Sequence, residues 1–333
     1  MKHISPTAPI RAGRRAWLAL ALGACLAAGA TAQETYPSHP IKMIAPIAPG
    51  GLTDTLARML ASGLSTRLGQ QVIVDNRPGG GGVIGMTAAA KSPGDGYNLL
   101  MAYQGVASVN PVLYKELPYN TQRDFTPVGQ VATFPVVLVA SARLPVANLK
   151  EFLALARSKP GALSYASAGN ATTSHLTMEL FKRRADLRIV HIPYKGEAPA
   201  LNDLIGGQVD VAFSTLASVL PHIQSGRLRV LGIASPKRSP LAPDLPTLSE
   251  AGVPGFSSVG WYAVLAPSGT PQAVVDRLNK ELMAILAEPE TRSRMAAQAI
   301  VPEGSSPEAL RRWIAEDTER WRKVITEVGI KAD

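Results

Sequence analysis

Pro40-Ile41-Lys42-Met43-Ile44-Ala45-Pro46-Ile47-Ala48-Pro49-Gly50-Gly51-Leu52-Thr53-Asp54-Thr55-Leu56-Ala57-Arg58 reads as a strand, a glycine turn and a helix start in direct succession. Ile41, Met43 and Ala45 alternate with Lys42 and Ile44, the pattern of a mostly buried strand. Pro46 and Pro49 lack the N–H that a ladder uses, so the strand ends there. Gly50-Gly51 lets the backbone turn sharply and come close to whatever sits beside it. Thr53 or Asp54 is expected to cap the following helix, where Leu56, Met59, Leu60, Leu64 and Leu68 fall on one apolar stripe. Such a helix start offers unpaired N–H groups and the positive dipole end, which suit a carboxylate or phosphate. On its own the stretch is equally an ordinary βα turn, and the rest of the chain has to decide.

The same rhythm continues on both sides of it. Strands are expected over 71–75 (QVIVD) and 97–102 and a helix over 83–91, separated by the glycine loop 76–82 and the turn 93–96. This alternation implies a parallel sheet with right-handed crossovers. Residues 110–127 read as irregular, and 128–139 as an apolar run broken by Pro135. The rhythm then restarts, with helices over 149–158, 172–183, 198–205 and 216–225 and strands over 163–167, 188–192, 209–213 and 228–234. The proline-rich stretch 236–254 reads as a return connection, and 259–266 as a strand going back to the first unit. Helices over about 271–287, 289–299 and 307–327 close the chain. The fold class is therefore α/β in two units joined by two crossings. Domain 1 comprises 33–132 plus 254–333, and domain 2 comprises 133–253. Ligands of open α/β sheets lie beyond the carboxyl ends of strands, which places the expected site in the cleft between the units.

Composition narrows the function. Aromatic residues make up only 5% of the 333, so the core must be built from Ala, Val, Leu and Ile. The first 32 residues read as a cleaved leader: Arg11, Arg14 and Arg15 precede the apolar run Trp17–Ala28, and Ala30-Thr31-Ala32 fits the small-x-small cleavage pattern. Leu22-Gly23-Ala24-Cys25 also resembles a lipoprotein box, but the apolar run continues past Cys25, so cleavage before Gln33 is expected. Removing the leader lowers 34 basic residues to 30 against 25 acidic ones, and the net charge falls from +9 to +5. That modest balance, without a Lys/Arg-rich run, favours small anions and excludes a nucleic-acid partner. Cys25 is the sole cysteine, so the mature chain has neither a disulfide nor a thiol nucleophile.

Gly80-Gly81-Gly82-Val83-Ile84-Gly85 satisfies G-x-G-x-x-G, but Asn76-Arg77-Pro78 separates it from the strand and no acid follows about twenty residues on. Close glycine packing is the better account, and no cofactor is expected. Tyr165-Ala166-Ser167-Ala168-Gly169-Asn170-Ala171-Thr172-Thr173-Ser174-His175 repeats the chemistry of the opening stretch. Two such elements, one per unit, would grip an anion from both sides. Ser174 cannot use its chain neighbour His175 as a base, because adjacent helical residues do not face each other. His39, His175, His191 and His222 are scattered without metal-ligand spacing, so no metal and no catalytic residue is expected.

The chain resembles the receptors of tripartite tricarboxylate transporters, the TctC or Bug-type solute receptors. The resemblance rests on Tyr36-Pro37, Pro49-Gly50-Gly51 with Asp54, Asn76-Arg77-Pro78-Gly79, Asp95-Gly96-Tyr97 and Asn110-Pro111. It continues through Tyr165-Ala166-Ser167-Ala168-Gly169, Pro193-Tyr194-Lys195-Gly196, Gly206-Gly207-Gln208-Val209, Leu220-Pro221-His222 and Gly269-Thr270-Pro271. It implies a type II periplasmic binding-protein fold, a small carboxylate held between two domains, a periplasmic monomer and membrane transporter subunits as partners. The expected ligand contacts are Ala48, Pro49, Gly50, Gly51, Thr53, Asp54, Tyr103, Gln104, Ser167, Ala168, Gly169, Asn170, Thr172, Thr173, His175 and Ser214. Asp54 is expected to cap its helix or meet a ligand amine or a bridging water. Ala171 and Ser214 stand where members often carry Gly and Asp, and Tyr103–Ser108 replaces a frequent Thr-His segment. The family's commonest ligands therefore do not transfer directly. A sensory receptor feeding a signalling system remains an alternative, and a secreted hydrolase is disfavoured by the lack of a nucleophile–base pair.

Overall fold

The computed structural model describes Met1, His3 and residues 36–170 and 172–330. The expected leader, Cys25 and the cleavage point after Ala32 lie outside the described residues, as does Ala171. The chain divides into Met1–Ser38 and His39–Asp333. In the first, Tyr36-Pro37 is a cis peptide; the second carries every element below.

Strands β1 (Ile41–Ala45), β2 (Val72–Asn76) and β3 (Asn98–Tyr103) are parallel neighbours in the order β2-β1-β3. Helices α1 (Leu52–Leu68) and α2 (Val83–Ala90) make their crossovers. β9 (Val259–Pro267) lies antiparallel to β3, and β4 (Phe125–Ser141) antiparallel to β9. Beyond β4 come β7 (Val211–Thr215), β5 (Ser164–Ser167) and β6 (Val190–Pro193), of which β7 is antiparallel to β4 and the rest are mutually parallel. β8 (Leu228–Ile233) and the short β10 (Val301–Pro302) also pair with β4. The sheet is thus mixed, where the strand–helix rhythm predicts a parallel one. The cause is the linkage of the halves: β4 runs out and β9 runs back, so the two must lie antiparallel.

Pro135 does not interrupt β4. It falls where the strand changes partner, its last pair with β9 being Pro135↔Val259 and its first with β7 being Val136↔Thr215. A missing N–H costs least at such a handover. Beyond it, alternate side chains feed two cores. Val136, Leu138 and Ala140 pack with Phe152, Phe181, Phe213 and Phe256, whereas Val137 and Val139 pack with Leu204, Leu216 and Val219. Both faces of β4 are therefore covered by helices, and its sequence is a continuous apolar run for that reason.

The stretch expected to be irregular, 110–127, holds two short helices, α3 (Asn110–Leu113) and α4 (Thr121–Asp124), and the first residues of β4. The Asn120 carboxamide caps α4 by accepting from the Gln122 and Arg123 N–H groups. The second half is completed by α5 (Leu149–Ser158), α6 (Thr173–Ala185), α7 (Glu197–Gly206) and α8 (Leu216–Gln224). After β9 come α9 (Gln272–Ala287), α10 (Pro289–Ala297) and α11 (Pro307–Val328). α11 does more than close the first half. Its Leu310 and Ile314 join the core of β3 and β9, but Trp321, Val324 and Ile325 pack on Leu176 of α6.

The crossing is tied by a buried carboxylate. Asp317 of α11 accepts from Trp261 Nε1 at 3.0 Å, from Gln104 Nε2 at 3.2 Å and from Arg320. Gln104 also donates to the Val259 carbonyl at 3.2 Å.

Candidate ligand cleft

The strand–glycine–helix motif folds as its sequence implies, with one change at the cap. The residue preceding α1 is Gly51, and no side chain caps from that position. Asp54 reaches back instead, accepting from the Gly50 N–H at 2.9 Å. It also takes Arg58 Nε at 3.0 Å and Asn76 Nδ2 at 2.9 Å. Burial pushes the Asp54 carboxyl up, but these donors outweigh it and hold it below the usual carboxylate range. Thr53 does not cap; its hydroxyl meets the Tyr262 phenol.

The C-terminal ends of the strands and the starts of α1, α6 and α8 converge on a cavity of about 510 Å³. Gly50, Leu52 and Thr53 come from the first motif. Ala168, Thr172, Thr173 and Ser174 come from the second, and Ser214, Thr215 and Ser218 from the β7–α8 turn. Tyr103, Phe134 and Tyr262 supply an aromatic wall, with the Phe134 and Tyr262 rings 5.2 Å apart. Burial pushes the Tyr103 phenol up to about 12, so it is a neutral hydroxyl there. The first-turn N–H groups of a helix have no intrahelical acceptors. Three such ends therefore aim donors and positive dipoles at one space.

Local hydrogen bonds hold the second motif. Ser174 Oγ accepts from the Ala168 N–H at 3.0 Å, and Thr172 Oγ1 donates to the Gly169 carbonyl at 2.7 Å. The Thr215 hydroxyl caps α8. The Thr173 hydroxyl has no partner among the described residues.

Of the sequence-derived candidates, the cavity is lined by Gly50, Thr53, Tyr103, Ala168, Thr172, Thr173 and Ser214. Ala48, Pro49 and Gly51 form the turn behind Gly50 and do not line it, and neither do Gly169 and Asn170. Asp54 is consumed by its own helix start and Arg58. Gln104 is turned away, onto Asp317 and Val259. Ser167 ends β5 and His175 is a buried residue of the first turn of α6, and neither lines the cavity.

The structure makes one pair that the sequence reading denies. Ser167 Oγ lies 2.6 Å from His191 Nε2, brought together by the parallel register of β5 and β6. His191 stacks on His175 with centroids 4.0 Å apart and on Tyr165 at 4.7 Å. Ser167 is 1% exposed, and its hydroxyl is also engaged by the Gly169 backbone. No carboxylate hydrogen-bonds to His191 among the described residues. His191 stacks in this ring column and, through Ser167, braces the turn that leads into α6. No group of three or more His, Cys, Asp or Glu that could hold a metal occurs among the described residues.

The sequence reading missed Glu197, Thr215, Ser218, Phe134, Tyr262 and Gln298, all of which line the cavity. Glu197 is the most telling. It opens α7 directly after Pro193-Tyr194-Lys195-Gly196, and Oε1 accepts from Ser214 Oγ at 2.6 Å and from the Thr215 N–H at 3.2 Å. A third strand-to-helix turn, with an acid at its start, was the available signal.

A second cavity, of about 450 Å³, lies against β4 and β10 and includes Trp313, Lys237 and Arg238. No helix N-terminus opens onto it, so the cleft is the better candidate for an anion.

The profile of a family described as tripartite tricarboxylate transporter family receptor, TctC, matches residues 56–330. The chain belongs to this family. Relatives of this TctC chain span nearly its whole length. BugT of Bordetella pertussis is 40% identical over 90% of the chain and 92% of its own. Rpa4515 of R. palustris, solved with adipate, is 35% identical, with a TM-score of 0.77 covering 89% of this chain and 99% of that one. MatC from Rhodopseudomonas palustris, solved with bound malate, is 31% identical, with a TM-score of 0.72 over 87% and 100% of the two chains. The TctC fold is thus the two-domain α/β fold of periplasmic binding proteins. No helix among the described residues is long and apolar enough to cross a membrane.

Proposed function

We propose that this TctC-family receptor captures a small carboxylate-bearing metabolite in the cavity between its two halves. It then hands the closed complex to the membrane subunits of a tripartite tricarboxylate-type transporter. The observation that carries the reading is the convergence of three helix N-termini and a ring of hydroxyls on one cavity whose described lining has no Lys, Arg or His. Backbone donors and hydroxyls recognise a carboxylate without a fixed cation and release it without breaking a salt bridge. The adipate and malate bound by Rpa4515 and MatC support the ligand class. The working unit is a periplasmic monomer exported by cleavage before Gln33. Its domains are 33–132 with 254–333, and 133–253, and closure is a hinge motion at β4 and β9. The protein binds without turnover.

The test is to purify the exported protein, identify the co-purified ligand by native mass spectrometry, and titrate it back calorimetrically. Thr173→Val keeps the volume and removes one hydroxyl. If that hydroxyl donates to the ligand carboxylate, affinity falls roughly tenfold to a hundredfold, the worth of one charge-assisted hydrogen bond. Wild-type affinity in Thr173→Val would take that hydroxyl out of the ligand's grip, and failure of every small carboxylate to bind would overturn the reading. Recovery of a chemically altered ligand after incubation would replace the receptor by an enzyme.

A further inference from the structure

Glu197 is the one charged side chain among the described residues that line the cleft. Its Oε1 is spent on Ser214 and the Thr215 N–H. Among the described residues its Oε2 has no partner and no Lys or Arg forms an ion pair with it. A helix N-terminus carries about half a positive charge, so this carboxylate offsets about two of the ends that face the cavity. Closing the cleft removes Glu197 from water, and a buried charge is costly unless paired. No cationic side chain of the described lining can pair with it, so the partner has to arrive with the ligand.

We infer that the cleft selects a carboxylate that also carries a protonated nitrogen. The helix ends at Gly50–Thr53 and Thr172–Thr173 take the carboxylate, and Glu197 takes the ammonium. A ligand with two negative charges would instead face Glu197 with only helix dipoles to offset three charges. Asp54, expected from the sequence to meet a ligand amine, is saturated by Gly50, Arg58 and Asn76; the acid that remains free to do so is on the other half of the sheet. This inference rests on the cavity being a carboxylate site, and the experiment separates the two.

Calorimetric titration of three matched pairs tests it: aspartate with succinate, glutamate with glutarate, and γ-aminobutyrate with butyrate. In at least one pair the amino member should bind the native protein tenfold or more tightly than its partner. Glu197→Gln keeps a carbonyl oxygen to accept from Ser214 and Thr215, so a purely structural role would leave that ratio unchanged. The inference requires the ratio to fall toward one in Glu197→Gln, with the protein still folded by circular dichroism. If carboxylates bind but the members lacking nitrogen bind equally or better, the inference is overturned and the carboxylate site stands. A preference that survives Glu197→Gln overturns it as well. If no member of any pair binds, the inference is overturned, and the carboxylate site stands or falls with the co-purified ligand.

Discussion

Gly260 and Phe134 face each other in the register of β4 and β9, one pair before these strands hand over between the halves. A Cβ added to Gly260 would stand 1.8 Å from Phe134 Cζ and 2.2 and 2.4 Å from its two Cε atoms. Carbon atoms pack best at about 3.5–4.0 Å, so Gly260→Ala requires the ring to retreat by roughly 2 Å. Phe134 lines the cleft, and the space open to a displaced ring is the space proposed for the ligand. Overpacking of this kind costs about 1–3 kcal/mol when the ring is held and less when it swings away. A ring that swings into the cleft moves the cost from the fold to the ligand. Gly260→Ala should therefore lose stability, or binding, or both, and Phe134→Leu in the same chain should recover what was lost. Urea denaturation and titration with the co-purified ligand would be run on both single variants and the double. The coupling between the two sites should be about 1 kcal/mol or more in at least one readout. If Gly260→Ala matches the parent within about 0.5 kcal/mol in stability and binds with parental affinity, the close approach of these two residues has no bearing on the crossing.

Asp317 should dominate the stability of the crossing. Asp317→Ala strands the indole N–H of Trp261 and the amide of Gln104 in a site where Asp317 is 2% exposed, and about 3–5 kcal/mol should be lost in urea denaturation; a loss below about 1 kcal/mol would contradict this account. His191 should make stability pH-dependent. Burial first, and then the neighbouring His175, lower its imidazole from 6.5 to about 4. Between those values the unfolded chain takes up a proton that the folded chain refuses. The stabilisation is complete above 6.5 and declines as pH falls toward 4. His191→Gln should flatten the stability profile in that window, and an unchanged slope would remove His191 as the cause.

Most of the fold is legible in the chain itself. The periods of two and 3.6, the glycine turns and the prolines place nearly every strand and helix, because these signals act within a few residues of each other. The return of the strand near Val259 to the first half was readable from order alone. Parallel or antiparallel pairing was not, since it depends on the direction in which β9 re-enters between β3 and β4. Pro135 misled for the same reason: a proline breaks a strand only where its neighbour needs the N–H, and the neighbour changes there. The site divides along the same line. Gly50, Thr53, Ala168, Thr172 and Thr173 carry a local signature, a strand ending in small residues before a capped helix, and that signature is visible in sequence. Which acid faces the cleft is a long-range property. Asp54 and Glu197 both open helices after a strand, but Arg58 and Asn76 fold back to saturate the first, while among the described residues only Ser214 and Thr215 reach the second. The Ser167–His191 contact depends likewise on β5 and β6 lying side by side, at a separation in sequence over which composition and periodicity carry no information.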